Sequence, residues 1–163
     1  MTKKIILIII MAAIALFVLI QLVPYGRSHT NPQVVAEPNW DSPQTRELAA
    51  RACFDCHSNE TVWPWYSNIA PVSWLIQHDV EDGRGRLNMS EVGVPRPRPE
   101  GNFRPREGDE GGEEREGDDV AELVRSGEMP PWYFTIMHPN AKLSAAEKEA
   151  LIAGLQASGV GGD

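Results

Sequence analysis

The distribution of apolar residues sets the N-terminus apart from the rest of the chain. Residues 5–23 form a run of 19 positions with no charge and one polar side chain, Gln21. A helix rises about 1.5 Å per residue, so this run reaches roughly 28 Å, close to the hydrocarbon thickness of a bilayer. A cleaved signal peptide usually has a shorter apolar core, and Gly26-Arg27-Ser28 is a poor small-x-small cleavage site. We predict an uncleaved transmembrane anchor over residues 1–23.

Helical periodicity begins again only after residue 41. Residues 24–41 contain three prolines and no apolar period, which predicts a tether. Ser42 is suited to cap a helix, and Pro43 is suited to its first position. The predicted buried stripe of this helix is Leu48, Ala49, Ala52 and Cys53.

Three later segments also have helical patterns. One helix is predicted from Pro71 through "VSWLIQHDVEDG", and its apolar stripe is Val72, Leu75, Ile76 and Val80. A short helix from Asp118 or Asp119 is expected to end at Gly127, and an extended loop is expected from Met129 because two prolines follow it.

The last helix is predicted to begin at a capping box of Ser144 and Glu147 and to run to about Ser158. Its buried face would be Leu151, Ile152 and Leu155, packed against the helix that ends at Cys53. No segment has a convincing strand pattern, so the fold class is predicted to be mainly α. We assign residues 42–158 to one small helical domain.

The domain is expected to contain a disordered insertion at residues 93–119. This stretch has four prolines, six glycines, nine acidic residues and five arginines, with Val94 and Phe103 as its large apolar side chains. Such a composition does not bury enough surface to offset the entropy of ordering the backbone.

Charge determines the expected topology and excludes two classes of partner. Lys3 and Lys4 precede the apolar run and should stay on the cytoplasmic side, which places the rest of the chain outside it. We therefore expect a single-pass inner-membrane protein whose domain faces the periplasm or an equivalent extracytoplasmic space. Residues 28–163 carry 12 basic and 23 acidic side chains, a balance that disfavours both nucleic acid and anionic lipid as partners.

Both cysteines of the chain lie in the segment Cys53-Phe-Asp-Cys56-His57. The spacing Cys-x-x-Cys-His is typical of covalent haem c attachment. The two thiols near a helix end can reach the two vinyl groups of one haem, and the next imidazole can bind its iron. A thioredoxin-like pair would need a βαβ setting, a structural zinc site would need four ligands, and a disulfide would need no histidine.

The sequence around this motif resembles a family of bacterial membrane-anchored haem-binding domains. The segments that carry the resemblance are CxxCHS, WPWYSNIAP, GRGRLN, GEMPP and HPNAKLS, and they fall between about residues 50 and 155. The resemblance implies a small, mainly helical, cytochrome c-like domain. Residues 93–119 depart from the family pattern.

Four further side chains are candidates for contact with the haem. Trp63 and Trp65 either pack on the haem or fill the core of the small domain. Arg84 and Arg86 either bind the haem propionates or are ordinary surface arginines.

The second iron ligand is expected to be a methionine or a histidine. We favour Met129, because "GEMPP" places its thioether in a loop stiffened by two prolines and resembles the ligand loop of many cytochromes c. Met89 and Met137 stand where the resembling family has an apolar or aliphatic residue. His138 is the main alternative to Met129, followed by His78.

These observations predict a membrane-tethered monohaem c-type cytochrome that transfers single electrons or senses redox state through haem. Its partners would be the bilayer and an unidentified redox protein. An enzyme is less favoured. A haem peroxidase or a module that binds diatomic gases would need an open distal site.

Overall fold

The computed structural model describes residues 2–94 and 116–160, and in these residues it is helical. The helices are α1 Thr2–Ile20, α2 Pro43–Ala52, α3 Phe54–His57, α4 Val72–Arg86, α5 Glu116–Ser126, α6 Trp132–Met137 and α7 Ala145–Ala157. Short 3-10 turns occupy Trp65–Asn68 and Pro139–Ala141. Over the described ranges the only β contact is one isolated bridge between Ala36 and Glu91, so the mainly α prediction is confirmed.

Helices α2 and α7 pack against each other, as their apolar stripes predict. The side chain of Ser42 accepts a hydrogen bond from the backbone N–H of Thr45 and so caps α2. Ser144 and Glu147 form the expected capping box of α7. The two helices come closest where Gly154 meets Thr45, because a Cβ at Gly154 would overlap the Thr45 side chain.

A single apolar cluster lies between α2, α5 and α7. The side chains buried in it are Leu48, Ala49, Ala52, Phe54, Met89, Ala121, Val124, Leu143, Leu151, Ile152, Leu155 and Val160. Burial of this area supplies the main stabilisation of the domain. Helix α5 ends at Ser126, and Gly127 follows with a positive φ of 84°, which agrees with the predicted stop.

Residues 24–41 do not behave as the predicted free tether. The backbone N–H groups of Val35 and Ala36 donate to the Ser90 carbonyl, and Val92 donates back to Ala36. Farther along, Glu37 accepts two hydrogen bonds from Arg46, each of 2.7 Å. The segment lies along the helical domain because backbone groups and single long side chains bind it, and such contacts need no apolar period in the sequence.

Helix α1 is shorter than the predicted span, since it ends at Ile20 and not at Val23. By length and composition it could cross a membrane, a test that an N-terminal signal sequence also passes. No part of the window Lys3–Ile20 is buried against the rest of the protein.

The segment after Met129 and the start of α5 differ from their predicted structures. The loop expected from Met129 contains helix α6, which begins directly after Pro131, a residue suited to the start of a helix. The predicted disordered insertion at 93–119 lies mostly outside the described residues, and α5 begins at Glu116, two residues before the expected start.

Candidate haem site

The Cys-x-x-Cys-His segment sits at the junction of α2 and α3. Cys53 is the C-cap of α2 and the N-cap of α3, and His57 is the last residue of α3. Neither Cys53 nor Cys56 is in a disulfide, and burial raises the pKa of both thiols to about 12. They are therefore protonated at neutral pH, unlike the reactive cysteines of redox pairs, whose pKa is lowered.

The imidazole of His57 is held in one orientation. Its Nδ1 lies 3.1 Å from the carbonyl oxygen of Leu87. A carbonyl only accepts, so Nδ1 carries the proton and donates it. Burial is the main cause that lowers the pKa of His57, which favours the neutral ring. Nε2 therefore keeps a lone pair, the arrangement that histidine ligands of metals usually have.

The C-terminal end of α4 packs directly on the motif. A Cβ at Gly83 would lie 2.5 Å from the carbonyl oxygen of Cys56, so only glycine allows this approach. Beyond the helix, the backbone N–H of Met89 donates to the carbonyl of His57 at 2.8 Å. Residues 83–89 therefore hold the motif through its backbone and also supply the carbonyl that orients His57.

Arg84 ties the loop after the motif to the segment before α2. Its guanidinium donates to the carbonyls of Ser58 and Thr30, to Oδ1 of Asn31 and to Oγ1 of Thr61, at 2.7 to 3.0 Å. These four hydrogen bonds give Arg84 a structural role, and its contact with a haem propionate stays a prediction. Arg86 forms an ion pair of 2.9 Å with Asp82 on the surface of α4.

A cleft of about 670 Å³, including the solvent at its mouth, opens beside Cys56. Its lining is mostly apolar and comes from α3, α4, α6 and the segment between α3 and α4. The lining residues are Asp55, Cys56, Thr61, Val62, Pro64, Tyr66, Val72, Leu75, Ile76, Asp79, Val80, Tyr133, Phe134, Met137 and His138. Val72 and Leu75 were predicted to be buried, but they line this cleft and stay partly exposed.

The mouth of the cleft contains a carboxyl and a phenol that bridge two helices. The hydroxyl of Tyr133 on α6 donates to Oδ2 of Asp79 on α4 at 3.1 Å. Burial is the main cause that raises the pKa of both groups, that of Tyr133 to about 12. Asp79 lies on the side of α4 that contacts α6. It is half-buried because α6, which was not predicted, covers it.

Comparison with known proteins identifies the family of the chain. The chain matches the family model described as Haem-binding domain over residues 15–157. The chain belongs to this haem-binding domain family. The match includes residues 24–41, so the segment predicted as a tether is part of the family domain. Comparisons with curated proteins and with solved structures gave no significant match.

The residues present fit the haem of a haem-binding domain. The two thiols are not in a disulfide, and they lie with the His57 imidazole within five consecutive residues, Cys53 at the N-cap of α3 and Cys56 and His57 on it. The cleft beside Cys56 is mostly apolar, as a porphyrin requires.

The two favoured candidates for the second iron ligand lie on different sides of the motif. Met129 is partly buried and packs against the same apolar cluster as Cys53 and Leu87. His138 lines the cleft with Cys56, where its Nδ1 donates to the Phe134 carbonyl at 3.1 Å and its ring stacks on Phe134. His78 has an exposed side chain on α4.

Trp63 and Trp65, for which either haem packing or core filling was predicted, do not line this cleft. Trp63 stacks on His29 with ring centroids 4.6 Å apart, and its indole N–H donates to Asn31. Trp65 is exposed and meets the ring of Tyr66 edge to face. The aromatic side chains that do line the cleft are Tyr66, Tyr133 and Phe134. Tyr133 and Phe134 were not predicted to line a site, because α6 is short and has no buried residue.

Proposed function

We propose that this haem-binding domain is a monohaem c-type cytochrome, tethered to a membrane, that transfers single electrons or senses redox state. The observation that carries the proposal is the state of His57, whose Nδ1 is tied to Leu87 and whose Nε2 is left to bind iron. Cys53, at the N-cap of α3, and Cys56, on α3, would carry the two thioether bonds.

When bound, haem iron supplies a one-electron couple between the ferric and ferrous states. The protein affects this couple in three ways. The Leu87 carbonyl makes the His57 imidazole a stronger donor to the metal. The apolar lining lowers the polarity around the haem, and this disfavours the oxidation state in which the haem carries the larger net charge. The half-buried Asp79 places a carboxyl at the mouth of the cleft.

For the second ligand we propose Met129, with His138 as the competing residue. Met129 borders the same cluster as Leu87, the residue that orients His57. Its loop is stiffened by Pro130 and Pro131, and its backbone N–H donates to Leu123 at 2.9 Å. His138 is supported by its place beside Cys56 in the cleft. A protein with both axial positions filled has no vacant site for oxygen or peroxide, so electron transfer is favoured over an enzyme.

The test is a pyridine haemochrome spectrum of the purified full-length protein together with haem staining on a denaturing gel. The c-type spectrum, one haem per chain and a stained band are the expected results. A haem that is lost on denaturation would contradict covalent attachment. A ferric spectrum of pentacoordinate high-spin haem would instead support a peroxidase or a gas-binding module.

We further propose that α1 anchors the protein in the inner membrane, with the haem domain on the periplasmic or equivalent side. The support is the length and composition of α1 and the position of Lys3 and Lys4 before it. A reporter that is active only after export, fused after residue 163, should be active. Strong activity of a cytoplasm-only reporter at the same position would contradict this topology. The redox partner would then be a protein of the same compartment.

A further inference from the structure

The residues that directly follow α1 are bound to the helical domain by hydrogen bonds. The side-chain amide of Gln21 donates to the carbonyl of Ala70 at 2.9 Å, and its oxygen accepts from the Ala70 N–H at 3.0 Å. Arg27 donates to the Gln21 carbonyl at 2.7 Å. The one polar residue of the apolar run is therefore paired, through its side-chain amide, with the domain.

The next residues add two contacts with α4. Gly26 lies against the backbone of Ser73, so closely that a Cβ at Gly26 would overlap the Ser73 carbonyl. The hydroxyl of Tyr25 donates to the carboxylate of Glu81 at 2.9 Å. Three contacts, at Ala70, Ser73 and Glu81, hold the domain close to the end of α1.

Apolar side chains are exposed beside this attachment point. Trp65 is 75% exposed, Ile69 is 36% exposed and Val72 is 42% exposed, and all three lie within five residues of Ala70. Trp65 and Ile69 are not among the residues that line the cleft. A tryptophan next to the end of a membrane helix is typical of the headgroup layer, where one side of the indole is apolar and the other is hydrated.

We propose that Trp65 and Ile69 form a membrane-contact surface that rests in the headgroup layer of the bilayer spanned by α1. The inference rests on the proposed anchor. A free tether would let the haem domain turn in any direction. The attached domain instead keeps one face on the lipid, and that contact limits the approach of a redox partner to the remaining faces.

The surface can be tested with one introduced thiol in the full-length haem-loaded protein, reconstituted in phosphatidylcholine nanodiscs. Ile69→Cys reports on the surface. Glu149→Cys is the matched control. The Glu149 side chain is 64% exposed, and it lies on α7, a helix that packs on α2 and α5. Each variant is treated with an uncharged maleimide and with a permanently charged one. Peptide mass spectrometry measures the rate at which each maleimide labels the introduced cysteine. It also shows whether Cys53 and Cys56 are occupied by haem.

The expected result is a several-fold preference for the uncharged reagent at Ile69→Cys relative to Glu149→Cys. Adding Trp65→Ser should remove most of that preference. Equal preferences at the two positions, in protein that elutes with the nanodiscs, would overturn the proposal. Protein that does not elute with nanodiscs would refute the anchor, and the contact surface with it. Adducts at Cys53 and Cys56 would refute covalent haem alone.

Discussion

The carbonyl oxygen of Cys56 lies 2.5 Å from the position that a Cβ atom at Gly83 would occupy. Helix α4 therefore touches the haem motif through bare backbone. Four residues later, Leu87 supplies the carbonyl that holds Nδ1 of His57. A shift of α4 away from Cys56 would move this carbonyl as well, so the contact at Gly83 also sets the orientation of the proposed iron ligand.

Gly83→Ala should therefore damage both stability and haem binding. Relief of the overlap requires a movement of α3 or α4, and we expect a loss of about 1–3 kcal/mol in the free energy of unfolding. The ratio of covalent haem to protein should fall too. Urea unfolding and the haemochrome spectrum measure the two effects.

Gly85→Ala is the matched control on the same helix. A Cβ there meets nothing within 4 Å, so this change should be neutral or should stabilise the protein by about 0.4–1 kcal/mol. If Gly83→Ala is as stable and as fully loaded as Gly85→Ala, the close approach of α4 has no role in the site.

Some of this arrangement was predictable from the sequence. The caps at Ser42 and Ser144 and the stripes of α2 and α7 are local patterns of period 3.6, and they predicted both helices and their contact. The CxxCH spacing indicated haem for a similar reason, since all its groups lie on a few consecutive residues. The family match agrees with that interpretation at the level of haem binding.

The parts that were not predicted depend on contacts between distant segments. Residues 24–41 bind the domain through backbone groups and through side chains such as Asn31 and Glu37, which leave no periodic pattern. The role of Arg84 is set by acceptors up to 54 residues away. Helix α6 has no buried residue of its own, so its sequence has no apolar stripe to detect.

Cys53→Ala and Cys56→Ala test the attachment of haem. Each thiol would form one thioether bond, so either change should reduce covalent haem and the double change should abolish it. Haem staining on a denaturing gel, normalised to protein, is the measurement. A double variant that still stains fully would show that haem is held by other residues. Ser58→Ala is a useful control, because it removes a buried hydroxyl beside the motif without touching a thiol.

The stability of the domain should depend on pH through the ion pair between Arg51 on α2 and Glu147 on α7. The hydrogen bond from Arg51 is the main cause that lowers the pKa of Glu147, from 4.5 to about 2. A carboxylate whose pKa is lower in the folded state than in the unfolded state stabilises the fold fully at pH values above its unfolded-state pKa. That contribution is lost as the pH falls from about 4.5 towards 2.

Glu147→Gln keeps an N3 side chain that can complete the capping box, but it removes the charge. We expect Tm at pH 7 to fall by about 2–4 °C, and the difference from the parent protein to shrink as the pH is lowered to 3. Glu149→Gln removes an equal charge from the same helix, where the pair with Arg125 is longer at 3.7 Å, and should cost less. A difference in Tm that does not vary with pH would show that the ion pair is not its cause.

The second iron ligand can be decided with two methionines and one histidine. Met129→Ala should leave haem attached through Cys53 and Cys56. It should also remove the weak near-infrared sulfur-to-iron band of the ferric protein and lower its reduction potential, because a thioether favours the ferrous state. Met137→Ala deletes the same chemical group from the cleft and should keep both the band and the potential.

His138→Ala is the opposing experiment. If Met129 is the ligand, this variant keeps the near-infrared band, and its changes are limited to the cleft beside Cys56. If the parent protein already lacks the band and His138→Ala converts a low-spin ferric spectrum to a high-spin one, the ligand is His138. The geometry allows that outcome, since the bond from Nδ1 to Phe134 leaves Nε2 of His138 with a free lone pair, as at His57. The two variants thus give opposite spectra under the two assignments.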